Sequence, residues 1–206
     1  MASIIRLAHQ RGIYVISDEC YIYLNFAGKP FSAGSLTECK EHLVIIGSLS
    51  KTYAMTGWRL GYALAPAPLV SAMQKLQSQS TSNPTSIVQK AAVAALTGPQ
   101  ACVAEMRADY IRLRDKIVSG LRGIPGLACT QPEGAFYVYP NVCGYFGRGG
   151  IQSASDVAGR LLREAGVVTV PGEGLGTREH IRISYATSAA EIEKGLERMA
   201  KFFAAL

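Results

Sequence analysis

Apolar positions run through the 206 residues in two rhythms. Short unbroken apolar runs, Ile13-Tyr14-Val15-Ile16, Leu43-Val44-Ile45-Ile46 and Leu60-Gly61-Tyr62-Ala63-Leu64-Ala65, predict buried strands. Between them the period lengthens to that of a helix. Ile4, Leu7 and Ala8 predict a short helix closed by Gly12, and Leu69, Met73 and Leu76 predict a second. Asn83 as cap, with Pro84 in the first turn, starts a third that stops at Gly98-Pro99. Val103, Met106, Tyr110, Leu113, Ile117 and Leu121 then mark one stripe of a long amphipathic helix, from Gln100 to about Leu121. After Gly126 the pattern predicts a small α/β domain, with strands at 135–139, 167–170 and 180–185 and helices at 155–165 and from Ala189 onward. In the last strand Ile181 and Ile183 share one face and Arg182 takes the other. A helix feeding directly into a buried strand is half of an α/β unit, so the chain is expected to start in mid-domain.

Composition narrows the class of protein. Apolar residues make up 49% and charged residues 17%, a globular balance. No apolar run approaches the ~20 residues of a membrane span, and Met1 opens no signal peptide, so no membrane role and a cytoplasmic location are expected. Cys20, Cys39, Cys102, Cys129 and Cys143 form no Cys-x-x-Cys pair. Neither a disulfide framework nor a metal site is indicated, and the five are expected to be buried thiols. The net charge of +6 is scattered, and around Arg107, Arg112, Arg114 and Lys116 it is interleaved with Glu105, Asp109 and Asp115. That is the solvated face of a helix, not a nucleic-acid patch. From Glu41 to Glu105 no other acid occurs, while Lys51, Arg59, Lys75 and Lys90 do. An acid-free segment of this kind suits anionic ligands, and it also suits a plain buried segment.

The chemistry of the chain centres on Ser48-Leu49-Ser50-Lys51, directly after an apolar strand. Lysine is costly to bury unless something pairs with it or takes its proton. Here two hydroxyls flank it and Arg59 follows eight residues on. Such a set suits a phosphorylated carbonyl compound, with a Schiff base to the amine and hydroxyls and guanidinium on the phosphate. Asp18, in Asp18-Glu19-Cys20-Tyr21, stands at the carboxyl end of its own strand, where open α/β sheets place ligand groups. An acid after a strand is also a common helix cap. Arg182 sits mid-strand, where its planar fork matches a carboxylate bidentately. The glycines of Pro171-Gly172-Glu173-Gly174-Leu175-Gly176 have no helix behind them and are not a dinucleotide fingerprint.

Ser48-Leu49-Ser50-Lys51 with Met55-Thr56-Gly57-Trp58-Arg59-Leu60-Gly61-Tyr62 resembles the cofactor-lysine motif of class I/II aminotransferases of fold type I. Within that family the resemblance is to the bacterial aspartate aminotransferase-like subgroup. Pro132-Glu133-Gly134-Ala135-Phe136-Tyr137 and His180-Ile181-Arg182-Ile183-Ser184-Tyr185-Ala186-Thr187-Ser188 extend it over nearly the whole chain. The resemblance implies pyridoxal phosphate on Lys51, Asp18 on the pyridine nitrogen and Tyr21 on the ring hydroxyl. It further implies Ser48, Ser50 and Arg59 on the phosphate, and Arg182 on the substrate α-carboxylate. The family has an aliphatic residue where Cys20 stands. The polar stretch 77–86 is either a linker or, as in the subgroup, a segment that approaches the partner subunit's site.

The fold class implied is α/β, the C-terminal part of the fold type I large domain (1–118) plus a small domain (119–206). The function implied is an aminotransferase moving an amino group between an aspartate-like amino acid and a 2-oxo acid, as a homodimer. A complete family member is much longer and carries a glycine-containing phosphate cup and a ring-stacking aromatic that this chain lacks. A non-catalytic remnant, or a self-associating fragment with an unpaired sheet edge, is the alternative.

Overall fold

Leu43–Ser48 (β2) is hydrogen-bonded along both of its edges in the computed structural model, which describes residues 1–206. It runs parallel to Val15–Asp18 (β1) and antiparallel to Gly61–Leu64 (β3). The register sets Asp18 opposite Ile46 and Ser48 opposite Gly61. Both polar ends therefore lie at the same margin of the sheet. The central strand is the apolar one because only it has neighbours on both edges, and Leu43 and Val44 are buried. The order β1-β2-β3 leaves the outer edge of β1 unpaired, and Ile16 on it is 71% exposed. Leu64 on β3 is 58% exposed.

The chain divides into two compact units, Met1–Glu105 and Met106–Leu206, with the division inside the helix Ala101–Arg122 (α5). In the first unit Ala2–Gln10 (α1) ends before Gly12, whose φ of +66° is left-handed. Its buried residue is Ile5, packed with Ala33, Leu36, Cys39 and Leu43. Ile4 and Leu7, the expected apolar stripe, face outward. The segment holds apolar residues on two faces, and packing selected the one that meets β2. Leu49–Thr52 (α2) is a single turn following β2. Ala67–Ser80 (α3) carries no buried residue, so Leu69, Met73 and Leu76 have a stripe without a core beneath it. Ser86–Thr97 (α4) starts later than expected, with Thr85 at its N-cap. Asn83 lies before that cap, and its amide Nδ2 donates to the Pro84 carbonyl at 2.9 Å.

The second unit holds an antiparallel sheet of Tyr137–Val138 (β4), Ile181–Ser184 (β6) and Val170–Pro171 (β5), with β6 in the middle. Ile181 and Ile183 face the core with Val138. β4 is shorter than the run 135–139, since Ala135 adopts φ +58° and Pro140 has no N–H to donate. The strand expected at 167–170 reduces to Val170 and Pro171. Ala154–Arg160 (α6) continues into a π-helical turn, Leu161–Ala165, closed by Gly166 at φ +62°. Ala189–Ala204 (α7) buries Ile192, Met199, Phe202 and Phe203. Among the cysteines Cys39 and Cys129 are buried, whereas Cys102 and Cys143 are exposed, on helical or turn positions that face away from the core. No helix is long and apolar enough to cross a membrane.

Candidate active site

The turn after β2 places Lys51. Ser48 keeps extended backbone and caps α2, its hydroxyl oxygen accepting from the Ser50 N–H at 3.1 Å. Accepting there leaves the Ser48 O–H proton to donate elsewhere. Leu49 and Thr52 are buried beneath this turn, so Ser50 and Lys51 stand on its outer, half-buried side. The strand reaches this point with Gly47 because Tyr62 of β3 lies directly over it. A β-carbon at Gly47 would sit 2.2 Å from the Tyr62 ring.

Asp18 and Tyr21 arrive from the neighbouring strand. The Glu19 N–H donates to the Ile46 carbonyl at 2.8 Å, which extends the β1–β2 ladder to the site margin. Asp18 Oδ1 accepts from the Cys20 N–H at 3.1 Å. Tyr21 follows immediately, and Lys51 Nζ stands 5.9 Å from the centroid of its ring. Cys20 reports the same closeness electrostatically. Burial first, then a thiol hydrogen bond to Asp18 and the Asp18 charge, push its pKa up to about 11, and the Lys51 ammonium partly opposes them. Asp18, Tyr21 and Lys51 are thus gathered at the carboxyl margin of β1 and β2.

Glu19 was not anticipated from the sequence, and it fastens the margin. Its Oε1 accepts from the Ala33 N–H at 2.7 Å and from Ser17 Oγ at 3.2 Å. The signal was its place beside Asp18, where two adjacent acids on one strand end point to opposite faces.

Arg59 closes the short 3-10 turn Thr56–Trp58 in left-handed backbone, φ +55°. That places it two residues before Gly61, the register partner of Ser48. Its guanidinium Nη1 donates to the Thr56 carbonyl at 3.1 Å, and the side chain is exposed. It also lines a cleft of about 840 Å³ with Trp58, Gln77, Asn83, Pro84 and Val88; none of the other predicted site residues lines that cleft. The polar stretch 77–86 therefore borders the arginine.

Arg182 belongs to the second unit. It is half-buried on the face of β6 opposite Ile181 and Ile183. No carboxylate forms an ion pair with it. Its guanidinium carbon lies 4.7 Å from the centroid of the Tyr137 ring. The strand is anchored at its end by Tyr185, which is buried and donates its hydroxyl to the Ala135 carbonyl at 3.0 Å. Burial holds that phenol protonated well above its ordinary range.

An open-margined α/β sheet with a lysine, an aspartate, a tyrosine and hydroxyls at one strand end defines a class of proteins before it defines a member. The model of the family "Aminotransferase class I and II" matches residues 1–199, and the chain belongs to that family. The aspartate aminotransferase of Geobacillus stearothermophilus is 43% identical over 201 residues, covering 97% of this chain and 51% of the relative. The chain is superposable on the crystal structure of the aspartate aminotransferase from Rhizobium meliloti with a TM-score of 0.91 at 38% identity. That match covers 99% of this chain and 54% of the other. An aromatic aminotransferase from Pyrococcus horikoshii OT3 gives 0.90 at 33% identity, covering 98% and 54%. The fold is accordingly that of fold type I aminotransferases, and the chain spans about half the length of the relatives it matches.

Proposed function

We propose that the chain carries the cofactor-anchoring part of a pyridoxal-phosphate-dependent aminotransferase acting on an aspartate-like amino acid and a 2-oxo acid. The observation that carries the reading is the convergence of Lys51, Tyr21 and Asp18 at one sheet margin, with Lys51 Nζ 5.9 Å from the Tyr21 ring centroid. The donor set fits the cofactor. Arg59 offers a guanidinium with no carboxylate partner to a phosphate dianion, and Ser48 and Ser50 offer hydroxyls. Asp18 offers an anion to a protonated pyridine nitrogen, and Lys51 an amine to the carbonyl carbon. In this reading residues 1–118 belong to the large cofactor-binding domain and 119–206 to the small one. Aspartate-like specificity is supported by the names of the relatives, while the aromatic aminotransferase shows that the same fold serves other side chains.

When bound, pyridoxal phosphate supplies an electron-withdrawing ring that stabilises the charge left when a proton leaves the substrate Cα. The residues of this chain do the rest. Lys51 would anchor the cofactor through its amine and, with that amine free, would serve as the base that takes the substrate Cα proton and the acid that returns one. Asp18 would keep the ring nitrogen protonated. Tyr21 would donate to the ring hydroxyl, and it lies where its ring face attracts the Lys51 ammonium. Arg182 orients the substrate by its α-carboxylate. A homodimer and a cytoplasmic location complete the proposal.

Incubation with pyridoxal phosphate followed by borohydride reduction is expected to fix the cofactor to Lys51, read by peptide mass. Labelling elsewhere with Lys51 unmodified would overturn the assignment. A second reading, a self-associating fragment without activity, is favoured by one observation, the unpaired outer edge of β1 with Ile16 exposed on it.

A further inference from the structure

The face of β6 that carries Arg182 is built as a ladder of aromatic rings. Tyr137 stands opposite Ser184 in the register, one step along from Val138 opposite Ile183. With side chains alternating across the strands, Tyr137 therefore lies diagonally beside Arg182 on the non-core face. The guanidinium carbon is 4.7 Å from the Tyr137 centroid, well inside the ~6 Å reach of a cation–π contact. The same diagonal is repeated one step further on. Tyr139 stacks on His180 with centroids 4.8 Å apart and planes 14° from parallel, and its hydroxyl is tied to Thr177 Oγ1 at 2.5 Å. The Tyr137 ring is itself held from the other side of its strand, 4.8 Å from Phe136, which packs against Tyr110 at 5.4 Å. Arg182 has no ion-pair partner to set its orientation, so an aromatic ring backed by a packed cluster is the fixed surface beside it.

From this we infer that Tyr137 is a positioning residue: its ring face fixes the Arg182 guanidinium so that the donor edge remains presented to a carboxylate. The inference rests on the proposed role of Arg182 and extends it to a residue outside the cofactor site. A guanidinium has five N–H donors in one plane, and stacking on a ring occupies its face while leaving that donor edge unused. Without the ring, the arginine would have to become ordered at the moment a carboxylate binds, which weakens binding. The hydroxyl of Tyr137 plays no part in this role, so phenylalanine should serve as well.

The test uses the whole chain and the modification of Arg182 by phenylglyoxal, followed by peptide mass, with succinate as the protecting carboxylate. In the parent chain succinate is expected to slow modification of Arg182 with a measurable midpoint. Tyr137→Phe is expected to keep that midpoint within twofold, whereas Tyr137→Leu is expected to raise it about tenfold. Borohydride labelling of Lys51, run in parallel, is expected to be unchanged in both variants. A Tyr137→Leu midpoint equal to that of the parent overturns the inference. So does a tenfold shift in Tyr137→Phe, which would assign the effect to the hydroxyl, and this variant remains informative if Tyr137→Leu fails to fold. Absence of protection in the parent chain removes the carboxylate role of Arg182 and the inference with it. Loss of Lys51 labelling alone would instead count against the cofactor reading.

Discussion

Cys20 is partly buried and feels the charge of a carboxylate and an ammonium that both belong to the proposed site. Burial, the hydrogen bond to Asp18 and the Asp18 charge hold its thiol protonated to about pH 11, against an ordinary value of 9.0. At pH 8 the thiolate fraction is then about a hundredfold lower than for an ordinary thiol. The greater nucleophilicity of a more basic thiolate returns about tenfold of that. Alkylation of Cys20 at pH 8 is therefore expected to be about tenfold slower than that of an unperturbed cysteine, measured peptide by peptide. Asp18→Asn removes the charge and should speed it, and equal rates in the two chains would refute the contact. The sign of the stability effect follows. A group with a raised pKa in the folded state stabilises fully below about pH 9 and loses that contribution as pH rises toward 11.

At the scale of elements, α7 shows how far a local pattern reaches. Ser188 keeps extended backbone and its hydroxyl oxygen accepts from the Glu191 N–H at 3.3 Å, so the helix starts at Ala189, as its apolar spacing predicts. Ile192, Met199 and Phe203 then face the core at helical spacing. Ser188→Ala is expected to lower the unfolding free energy by about 1 kcal/mol, measured by urea denaturation with an unchanged slope. A loss below about 0.3 kcal/mol would show that tertiary packing alone holds the helix end. α4 is the contrasting element. Asn83 and Pro84 present a cap signal, yet the helix begins at Ser86 with Thr85 at its N-cap, and the Pro84 carbonyl accepts from Asn83 Nδ2 at 2.9 Å and Gln89 Nε2 at 2.8 Å.

At the scale of the molecule the first unit presents apolar surface on its sheet and on α3. Ile16 on the open edge of β1 and Leu64 on β3 are exposed, and α3 buries nothing. An unpaired strand edge with an apolar residue on it is a template for pairing with another chain. The chain is expected to associate with itself as its concentration rises, as seen by sedimentation velocity. Ile16→Lys should shift that association to higher concentration, since a charge on an edge strand opposes pairing. Identical sedimentation of the two chains would rule out the edge as the cause.

Some of this was legible in the sequence alone. The strands Leu43–Ser48 and Ile181–Ser184 were, the first through its unbroken apolar run and the second through alternation of Ile181 and Ile183 with Arg182. So was the cluster of hydroxyls and lysine after β2, since residues 48–51 are adjacent in the chain and a turn cannot separate them. Other features depended on residues far apart in sequence. Which face of α1 is buried was decided by Ala33, Leu36 and Leu43, not by its own apolar spacing. That Lys51 should meet Tyr21 depends on the parallel register of β1 and β2, which no local pattern encodes. That Arg182 should lie on Tyr137 depends on the antiparallel register of β4 and β6. The sequence determined the chemical groups and the local elements that carry them; the strand registers, fixed by cross-strand hydrogen bonds and packing, decided which groups meet.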